Sequence, residues 1–480
     1  MVIDMGQEIH ASAYQDADFQ YFYRRLAAET ELLGRFIQDR ICSEAPPVAG
    51  FEIEAWLLHD DMRPAPLNAD FLRSFNHPMA GAELAKFNVE LNTLPVAITG
   101  GAFRLLHDNL ADTWRQADRH ARQMDVNLLM IGTLPTLQQR ELNLANMSDM
   151  NRYRALNRQL LKARDKPILL DICGHEHLKV QHHDVMLEAA TTSFQLHIQC
   201  PLSVAHHVYN AAIIASAPMV AVCANAPYLF GKDLWMETRI PMFEQAIAAG
   251  GYRGATEGPL HRVSFGSDFA RDSILECFQE NLRHFPVLLP ETFDDEAERF
   301  SHLRLHNGTI WRWNRPLVGF DADGTPHIRI EHRTPAAGPT VLDMIANAAF
   351  FYGLVKNLSD QRAAGQADLG FSQAKDNFYQ AARHGLDSHV IWFGERKQRL
   401  ATLIQNELLS RAEQGLQSLG IAASDIDDYL GIIRQRITNQ QTGSHWQRRY
   451  IKQCPGDFSG LTRLYLQRQR QGETVAGWSL

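Results

Sequence analysis

Closely spaced cysteines are missing from this sequence. Its 480 residues include only six cysteines, and no two of them form a C-x-x-C pair. A disulfide framework or a zinc module is therefore not expected, and reduced thiols fit a cytoplasmic protein. The N-terminal stretch is acidic and lacks the apolar centre of a secretory signal. No apolar run approaches the roughly 18 residues of a membrane span, so we expect neither secretion nor a membrane partner.

An excess of positive charge and a phosphate-binding loop are also missing. The net charge is −8 and the pI is about 6.2, so a nucleic-acid partner is not expected. No G-x-x-x-x-G-K-[ST] motif occurs, which excludes a P-loop nucleotide site. Basic stretches near the C-terminus alternate with apolar residues and predict amphipathic helices. Whether these helices pack on the core or on a second copy stays open, and a homo-oligomer stays open with it.

Hydrophobic patterns predict several strands in the first 335 residues. The predicted strands are 50–58, 86–95, 191–200, 304–320 and 326–335, and the predicted helices include 18–41, 102–124 and 203–223. After residue 338 the pattern is almost wholly helical. The strict βαβ alternation and glycine-rich first turn of a dinucleotide fold are absent. We therefore predict an α+β fold with a largely antiparallel sheet, one polar sheet face and helices packed outside.

The first predicted strand, GFEIEAWLL, contains an unexpected pair of charges. Glu52 and Glu54 lie two residues apart, so they project from one face at a separation of about 6.6 Å. Two like charges at that distance repel by about 2.5 kcal/mol at an effective dielectric constant near 20. Taken alone, such a pair is most simply explained by a strand face exposed to water. The other explanation is a bound cation that neutralises both carboxylates.

Residues of the same kinds recur on the other predicted strands. Carboxylates around one imidazole are a ligand set that suits hard divalent cations, and Mg²⁺ is usually shared with phosphates. Arginine side chains on neighbouring strands suit phosphate or carboxylate oxygens. The repetition therefore favours a Mg²⁺ site over a solvated face. The residues concerned are Glu90 and Asn92 on the second strand, Gln195, His197 and Gln199 on the third, and Arg329, Glu331 and Arg333 on the last.

Seven longer motifs follow one another in a recognisable order. They are GFEIE (50–54), FNVELNT (87–93), TTSFQLHIQ (191–199), NAPYLFGKDLWMETRI (225–240), HNGTIWRWNRP (306–316), RIEHRTPAAG (329–338) and NFYQAARHGLD (377–387), with a looser match at GETVAGW (472–478). Their order resembles the glutamate–cysteine ligase superfamily, in particular its bacterial carboxylate–amine ligases of the second type. The sequence departs from that pattern at Ala226, Thr238 and Ala476, and the first two changes bear on substrate identity.

The resemblance implies a curved sheet similar to the catalytic domain of glutamine synthetase. It also implies an ATP- and Mg²⁺-dependent carboxylate–amine ligase that forms an amide through an acyl phosphate, with γ-glutamyl transfer to an amine as the default. Amino-acid-like small molecules are then the expected substrates. We divide the chain into an N-terminal helical segment (1–45), a catalytic α+β domain (46–355) and a C-terminal helical region (356–480) packed on the core.

Site residues are assigned from the same resemblance. The expected Mg²⁺ ligands are the carboxylates Glu52, Glu54, Glu90 and Glu331, with His197 as a further ligand or a phosphate contact. The groups expected at substrate or nucleotide are Arg239 at the acceptor carboxylate or γ-phosphate, Arg315 and Arg333 at phosphates, Gln199 or Asn92 as orienting amides, and His306 as a nucleotide contact.

Two other functions stay open at this point: a metal-dependent amide hydrolase that uses the same carboxylates, and a non-catalytic regulator that binds nucleotide or amino acid.

The histidine-rich segments 175–177 and 182–183 are predicted to be solvated loops rather than a zinc site. Trp311 and Trp313 are predicted to pack in the core rather than against adenine.

Replacing Glu52 by Gln is expected to abolish Mg²⁺-dependent ATP turnover and to leave the fold intact or more stable, because it removes the mutual repulsion of Glu52 and Glu54.

Overall fold

The structure is a computed structural model that describes residue 9 and residues 13–163, 167–247, 261–365, 369–394 and 396–480. Its helices are α1 (Asp16–Gln38), α2 (Asn68–Phe75), α3 (Ala102–Gln123), α4 (Asn151–Ala163), α5 (Ala205–Val222), α6 (Arg239–Ala246), α7 (Leu275–His284), α8 (Ser301–Gly308), α9 (Val341–Ala363), α10 (Phe371–His384), α11 (Leu400–Leu403), α12 (Leu409–Ser418), α13 (Ala423–Thr438), α14 (Gly443–Gln453) and α15 (Phe458–Gln471).

The strands are mostly short. They are β1 (Val48–Leu58), β2 (Ala80–Ala82), β3 (Asn88–Asn92), β4 (Val96–Ala97), β5 (Asn127–Leu129), β6 (Ile168–Cys173), β7 (His177–His182), β8 (Phe194–Cys200), β9 (Tyr228–Leu229), β10 (Lys232–Asp233), β11 (Val263–Ser264), β12 (Trp311–Arg312), β13 (Asn314–Phe320), β14 (Pro326–His332), β15 (His389–Ile391) and β16 (Lys397–Arg399).

One antiparallel sheet carries the polar face that the sequence predicts. Its strands run in the order β13-β14-β8-β1-β3-β2, and β4 and β5 also pair with β1. In the register, Glu52 of β1 lies opposite Asn92 of β3 and Gln195 of β8, and Glu331 of β14 lies opposite His197 of β8. The predicted α+β class with a curved, largely antiparallel sheet is confirmed.

The apolar face of the sheet packs against long buried helices. Phe51 of β1 lies against Phe194 of β8 and against Tyr352 of α9, with ring centroids 5.0 and 6.4 Å apart. The Tyr352 hydroxyl donates a hydrogen bond to the main-chain oxygen of His197 at 2.8 Å. Helix α9 therefore fixes β8 from behind, at the residue whose side chain points to the polar face.

The C-terminal helices pack on this core. Helix α12 approaches α9 closely where Gly415 meets Gly353. A Cβ atom at Gly415 would lie only 1.9 Å from the main-chain oxygen of Gly353, so the approach requires a glycine. Helix α12 thus packs directly on α9 of the core. The predicted boundary between residues 355 and 356 falls inside α9. None of the described helices combines the length and the apolar character that a bilayer crossing requires.

Three elements differ from their predictions. The predicted strand 304–320 is wrong in its first part, because residues 301–308 form α8 and bury Ser301, His302, Leu303, His306 and Asn307 at helical spacing. The alternation of polar and apolar residues in RLHNG hid that spacing. The histidine-rich segments predicted as loops belong to the β6–β7 hairpin, and a second hairpin, β15–β16, interrupts the helical region.

A buried ion pair joins three of the core helices. Arg436 of α13 contacts Asp343 of α9 through Nη2 and Oδ1 at 2.8 Å, and both side chains are almost fully buried. Its Nη1 donates to the Asn347 side chain at 2.6 Å and to the main-chain oxygen of Val222, at the end of α5, at 2.9 Å. The guanidinium group therefore satisfies acceptors on α5 and α9 at once.

We expect Arg436→Met to lower the free energy of unfolding by about 3–5 kcal/mol, because the Asp343 carboxylate stays buried without its partner. Urea unfolding of the full chain measures this. Arg434→Met, on the exposed side of the same helix, is the matched control and should stay within about 0.5 kcal/mol of wild type. The double variant Asp343→Asn/Arg436→Met should recover part of the loss, and equal losses for Arg436→Met and Arg434→Met would contradict the assignment.

Candidate active site

A cavity of about 410 Å³ lies over the polar face of the sheet. Strands β1, β3, β8, β13 and β14 contribute to its floor, and residues of α4, α6 and α8 contribute to its walls. Its charged lining residues include the carboxylates Glu52, Glu54, Glu83, Glu90, Glu188 and Glu331 and the guanidinium groups of Arg152, Arg239, Arg304, Arg315, Arg329 and Arg333.

Two carboxylates and one imidazole converge at the centre of the face. His197 Nε2 lies 3.1 Å from Glu52 Oε1 and 4.0 Å from Glu331 Oε1. One ligand atom from each of the three residues lies within 4.8 Å of the other two. Within the described part of the chain, neither ring nitrogen of His197 makes a well-oriented hydrogen bond. A buried, unsatisfied imidazole between two carboxylates fits a divalent cation.

The charge of Glu331 is stabilised by arginines. Arg315 binds it through two atoms, with Nε at 2.7 Å from Oε2 and Nη2 at 3.0 Å from Oε1. Arg333 Nη1 lies 3.2 Å from Oε1. Burial alone would raise the pKa of Glu331, but Arg315, Arg333 and His197 outweigh it and hold that pKa far below its usual value. Glu331 is therefore an ionised carboxylate, and the two arginines beside it line the cavity.

Glu52 is ionised for a similar reason. Burial acts to raise its pKa, but the charge of His197, whose Nε2 lies 3.1 Å from Oε1, together with Arg329, lowers the pKa of Glu52 overall. The repulsion inferred for the Glu52–Glu54 pair thus has local compensation on the Glu52 side. The expectation that Glu52→Gln leaves the fold intact or more stable stays a prediction, although that change would also remove the contact with His197 Nε2 at 3.1 Å.

The uncompensated repulsion lies on the other side of the face, at Glu54 and Glu90. Glu54 accepts hydrogen bonds from Ser193 N, Ser193 Oγ and Gln195 Nε2 at 2.7 to 3.0 Å, yet burial and the nearby Glu83 raise its pKa to about 7. Burial, Glu52 and Glu83 raise the pKa of Glu90 well above its ordinary value. These carboxyls hold protons that a cation would displace.

Arg239 begins α6 and reaches the end of β14. Its Nη1 donates to the main-chain oxygen of Thr334 at 3.1 Å and to Glu237 Oε1 at 3.3 Å. The side chain is almost fully buried but still lines the cavity. It therefore places a fixed positive charge between the helix and the polar face, close to the main chain of Arg333.

Comparison with known proteins assigns the family. The family model described as "Glutamate-cysteine ligase family 2 (GCS2)" matches residues 48–474, which is most of the chain. The chain belongs to glutamate–cysteine ligase family 2. The predicted resemblance is thereby confirmed.

Individual members of glutamate–cysteine ligase family 2 match over about half of the chain. A Mycobacterium sp. (strain KMS) protein named "Putative glutamate--cysteine ligase 2-1" is 24% identical over 272 residues, covering 55% of this chain and 60% of that protein. "Putative glutamate--cysteine ligase 2-2" of Nocardia farcinica is 26% identical over 257 residues, covering 52% of this chain and 56% of its own length. These matches span less than two thirds of the relatives.

A solved structure extends the likeness of fold to nearly the whole chain. The glutamate–cysteine ligase of Francisella tularensis, crystallised in complex with AMP, superposes with a TM-score of 0.57 at 13% identity. The superposition covers 90% of this chain and 91% of that one. The family match and the structural superposition therefore both extend over most of the chain.

Seven of the residues assigned from the family resemblance line this cavity: Glu52, Glu54, Glu90, Glu331, Arg239, Arg315 and Arg333. His197 and Asn92 do not line it but contact carboxylates that do. Asn92 donates to Glu90 Oε1 at 2.7 Å, so it orients one of the expected ligands. Trp313 is almost fully buried and donates to Glu244, which agrees with its predicted core packing, but it also lines the cavity together with the partly buried Trp311.

Two predicted contacts lie away from the cavity. Gln199 donates to Asp321 Oδ1 at 2.9 Å and does not line the cavity. His306 turns from the cavity towards α7, where Nε2 lies 3.1 Å from the main-chain oxygen of Asn281. Burial lowers the pKa of His306 to about 4, so it is a neutral core residue. The structure therefore does not bring these two side chains to the cavity, and their roles at substrate or nucleotide stay predictions.

The sequence prediction also missed charged residues of the cavity. Glu83 follows β2 in a loop, and Glu188 lies in a short 3₁₀ helix, Val185–Ala190, so neither belongs to a period-two pattern. Arg304 was placed in a predicted strand without a role, although it lines the cavity from α8. The signal available for Glu188 is its position as a single charge in the otherwise apolar run VMLEAA.

We expect Mg²⁺ to raise the melting temperature more at about pH 8 than at about pH 5.5. The pKa of Glu54 is raised from 4.5 to about 7 in the folded state, so the stability that its protonated carboxyl group contributes is lost as the pH rises through this range. A bound cation restores that stability above this pH range. Below the range the cation must compete with the protons on the carboxyl groups. Differential scanning fluorimetry measures both shifts. Glu52→Gln should lose the shift, exposed Glu298→Gln should keep it, and a shift independent of pH would contradict the idea.

Proposed function

We propose that the chain is an ATP- and Mg²⁺-dependent carboxylate–amine ligase that forms an amide through an acyl phosphate. The observation that carries the proposal is the convergence of Glu52, His197 and Glu331 within 4.8 Å, beside arginines that line the same cavity. Family membership supports the reaction class, and the AMP in the Francisella tularensis ligase supports an adenine nucleotide.

Glu52, Glu331 and His197, with Glu54 and Glu90 beside them, would hold Mg²⁺. The bound cation would supply charge neutralisation where a substrate carboxylate approaches the γ-phosphate, two groups of like charge. On the chain itself, Arg315 of β13, Arg329 of β14 and Arg333, which directly follows β14, lie next to these residues. Their guanidinium groups would position phosphate oxygens and stabilise the negative charge that they share during transfer.

The reaction consists of two displacements. A carboxylate oxygen attacks the γ-phosphorus and the bond to ADP breaks, which leaves an acyl phosphate. The amine nitrogen then attacks the acyl carbon, phosphate leaves, and the nitrogen loses a proton. Arg239 would bind the carboxylate of an amino-acid-like substrate, because it is a fixed cation at the cavity wall beside the polar face.

Glu83 and Glu188 would serve the amine. Glu188 Oε2 is buried without a hydrogen-bond partner in the described part of the chain, and burial and Glu83 raise the pKa of Glu188 to about 8. An unpaired carboxyl in a cavity is a site for an ammonium group. After the ammonium binds, Glu188 is positioned to accept the proton that the nucleophile must lose.

The proposed ligase activity is tested by ADP release across pairs of carboxylates and amines, with glutamate and cysteine as the first pair. We expect release that needs ATP, Mg²⁺ and both substrates. Arg333→Met should lower kcat by about 10²–10³-fold, while Arg119→Met, exposed on α3, should not change it. Amide hydrolysis without ATP would identify a hydrolase instead, and nucleotide binding without turnover of any pair would identify a regulator.

We expect Glu188→Gln to lower amine-dependent ADP release by about 10²-fold or more and to leave Mg²⁺-dependent ATP binding unchanged. The reason is that Gln keeps the shape of the side chain and removes its proton acceptor. The activity should recover in part as the pH rises, because more of the amine is then already deprotonated. Exposed Glu296→Gln is the control. A loss that is equal at all pH values would assign Glu188 a structural role.

A further inference from the structure

The β6–β7 hairpin has one apolar and one polar face. Ile168, Leu170 and Ile172 of β6 are buried, whereas Asp171 is half-buried and Cys173 is exposed. In the antiparallel register His177 of β7 lies directly opposite Cys173. The alternation along each strand therefore brings Asp171, Cys173 and His177 to the same outward face.

Three different metal-ligating groups meet on this face. His177 Nε2 lies 2.8 Å from Asp171 Oδ1, and one ligand atom from each of Asp171, Cys173 and His177 lies within 4.8 Å of the other two. A thiolate, an imidazole and a carboxylate are the three side-chain ligand types of zinc. Cysteine is also among the residue types most often buried, so its outward position beside a histidine is unusual.

The hairpin backbone is held on the body of the protein. The Gln245 side chain of α6 bonds to both main-chain groups of Asp171, at 2.7 and 3.2 Å. The Trp235 indole donates to the main-chain oxygen of Cys173 at 2.8 Å. Gly174 fits so closely that a Cβ there would lie 2.4 Å from the main chain of Leu234. The backbone that carries the three ligands is therefore fixed before any metal binds, which reduces the ordering cost of binding.

We propose that Asp171, Cys173 and His177 form a surface site for a borderline-soft divalent ion of the zinc class, with a fourth position open to water or an external ligand. The ligand set separates this site from the cluster of Glu52, His197 and Glu331, which has no sulfur and suits harder ions. The competing explanation is an exposed ion-pair group without metal, since Lys179 Nζ also lies 3.4 Å from Asp171 Oδ2. The proposal does not depend on the ligase activity.

Co²⁺ tests this site in the full-length chain, reduced and saturated with Mg²⁺ so that the carboxylate cluster is occupied. Cobalt in a zinc site with a thiolate ligand gives a sulfur-to-metal charge-transfer absorption in the near ultraviolet, which oxygen and nitrogen ligands alone do not give. We expect this absorption to saturate at one equivalent of Co²⁺ and to disappear on addition of excess Zn²⁺.

Variants identify the sulfur and the other ligands. Cys173→Ser should abolish the charge-transfer absorption, and Cys454→Ser, at the other exposed cysteine, should keep it. His177→Gln and Asp171→Asn retain the thiol and should each weaken the apparent affinity by at least about 10-fold, with melting temperatures recorded to show that the variants fold. No absorption in the wild type, its loss in Cys454→Ser rather than Cys173→Ser, or an unchanged affinity in both His177→Gln and Asp171→Asn would overturn the proposal.

Discussion

The crowding of buried carboxylates on one face of a sheet is the constraint on which the rest of this structure depends. A buried carboxylate is costly unless a cation or hydrogen-bond donors compensate it. On the side of Glu331 the chain supplies that compensation through Arg315, Arg333 and His197. On the side of Glu54 and Glu90 it does so only in part, since burial and neighbouring carboxylates raise the pKa of both groups despite their hydrogen-bond donors. The face is therefore electrostatically incomplete, and the proposed divalent cation would supply what is lacking.

The scaffold keeps this unfavourable arrangement in place. The antiparallel register sets Glu54 opposite Glu90 and Glu331 opposite His197, so the carboxylates cannot separate without breaking main-chain pairing. The back of the sheet packs against α9, and Tyr352 binds the main chain of His197 from that side. Burial of apolar side chains behind the sheet thus offsets the repulsion between the carboxylates on its polar face. Proteins commonly stabilise an unfavourable functional site through the surrounding core in this way.

Sequence patterns predicted the parts of the site that lie on regular strands. Period-two alternation identified Glu52, Glu90 and Glu331 as members of a polar face, because alternate strand residues share a face wherever the strand pairs. It could not reveal which strands are neighbours, so the division between compensated and uncompensated carboxylates was not visible. Glu83 and Glu188 lie on irregular segments that no periodicity describes. His306 was placed on a strand instead of a helix because a short helix and a strand can share one short polar–apolar pattern.

The departures from the family pattern act behind the cavity rather than inside it. Thr238 is fully buried, and its hydroxyl group bonds to the main chain of Trp235 in the turn that precedes α6. Ala226 packs against Gly132, where a Cβ would lie 3.1 Å from the Ala226 Cβ and 2.9 Å from Arg239 Cδ. Neither residue lines the cavity. Thr238 directly precedes Arg239, and Ala226 and the Arg239 side chain both lie against Gly132, so these positions would affect a substrate through Arg239 and not by direct contact.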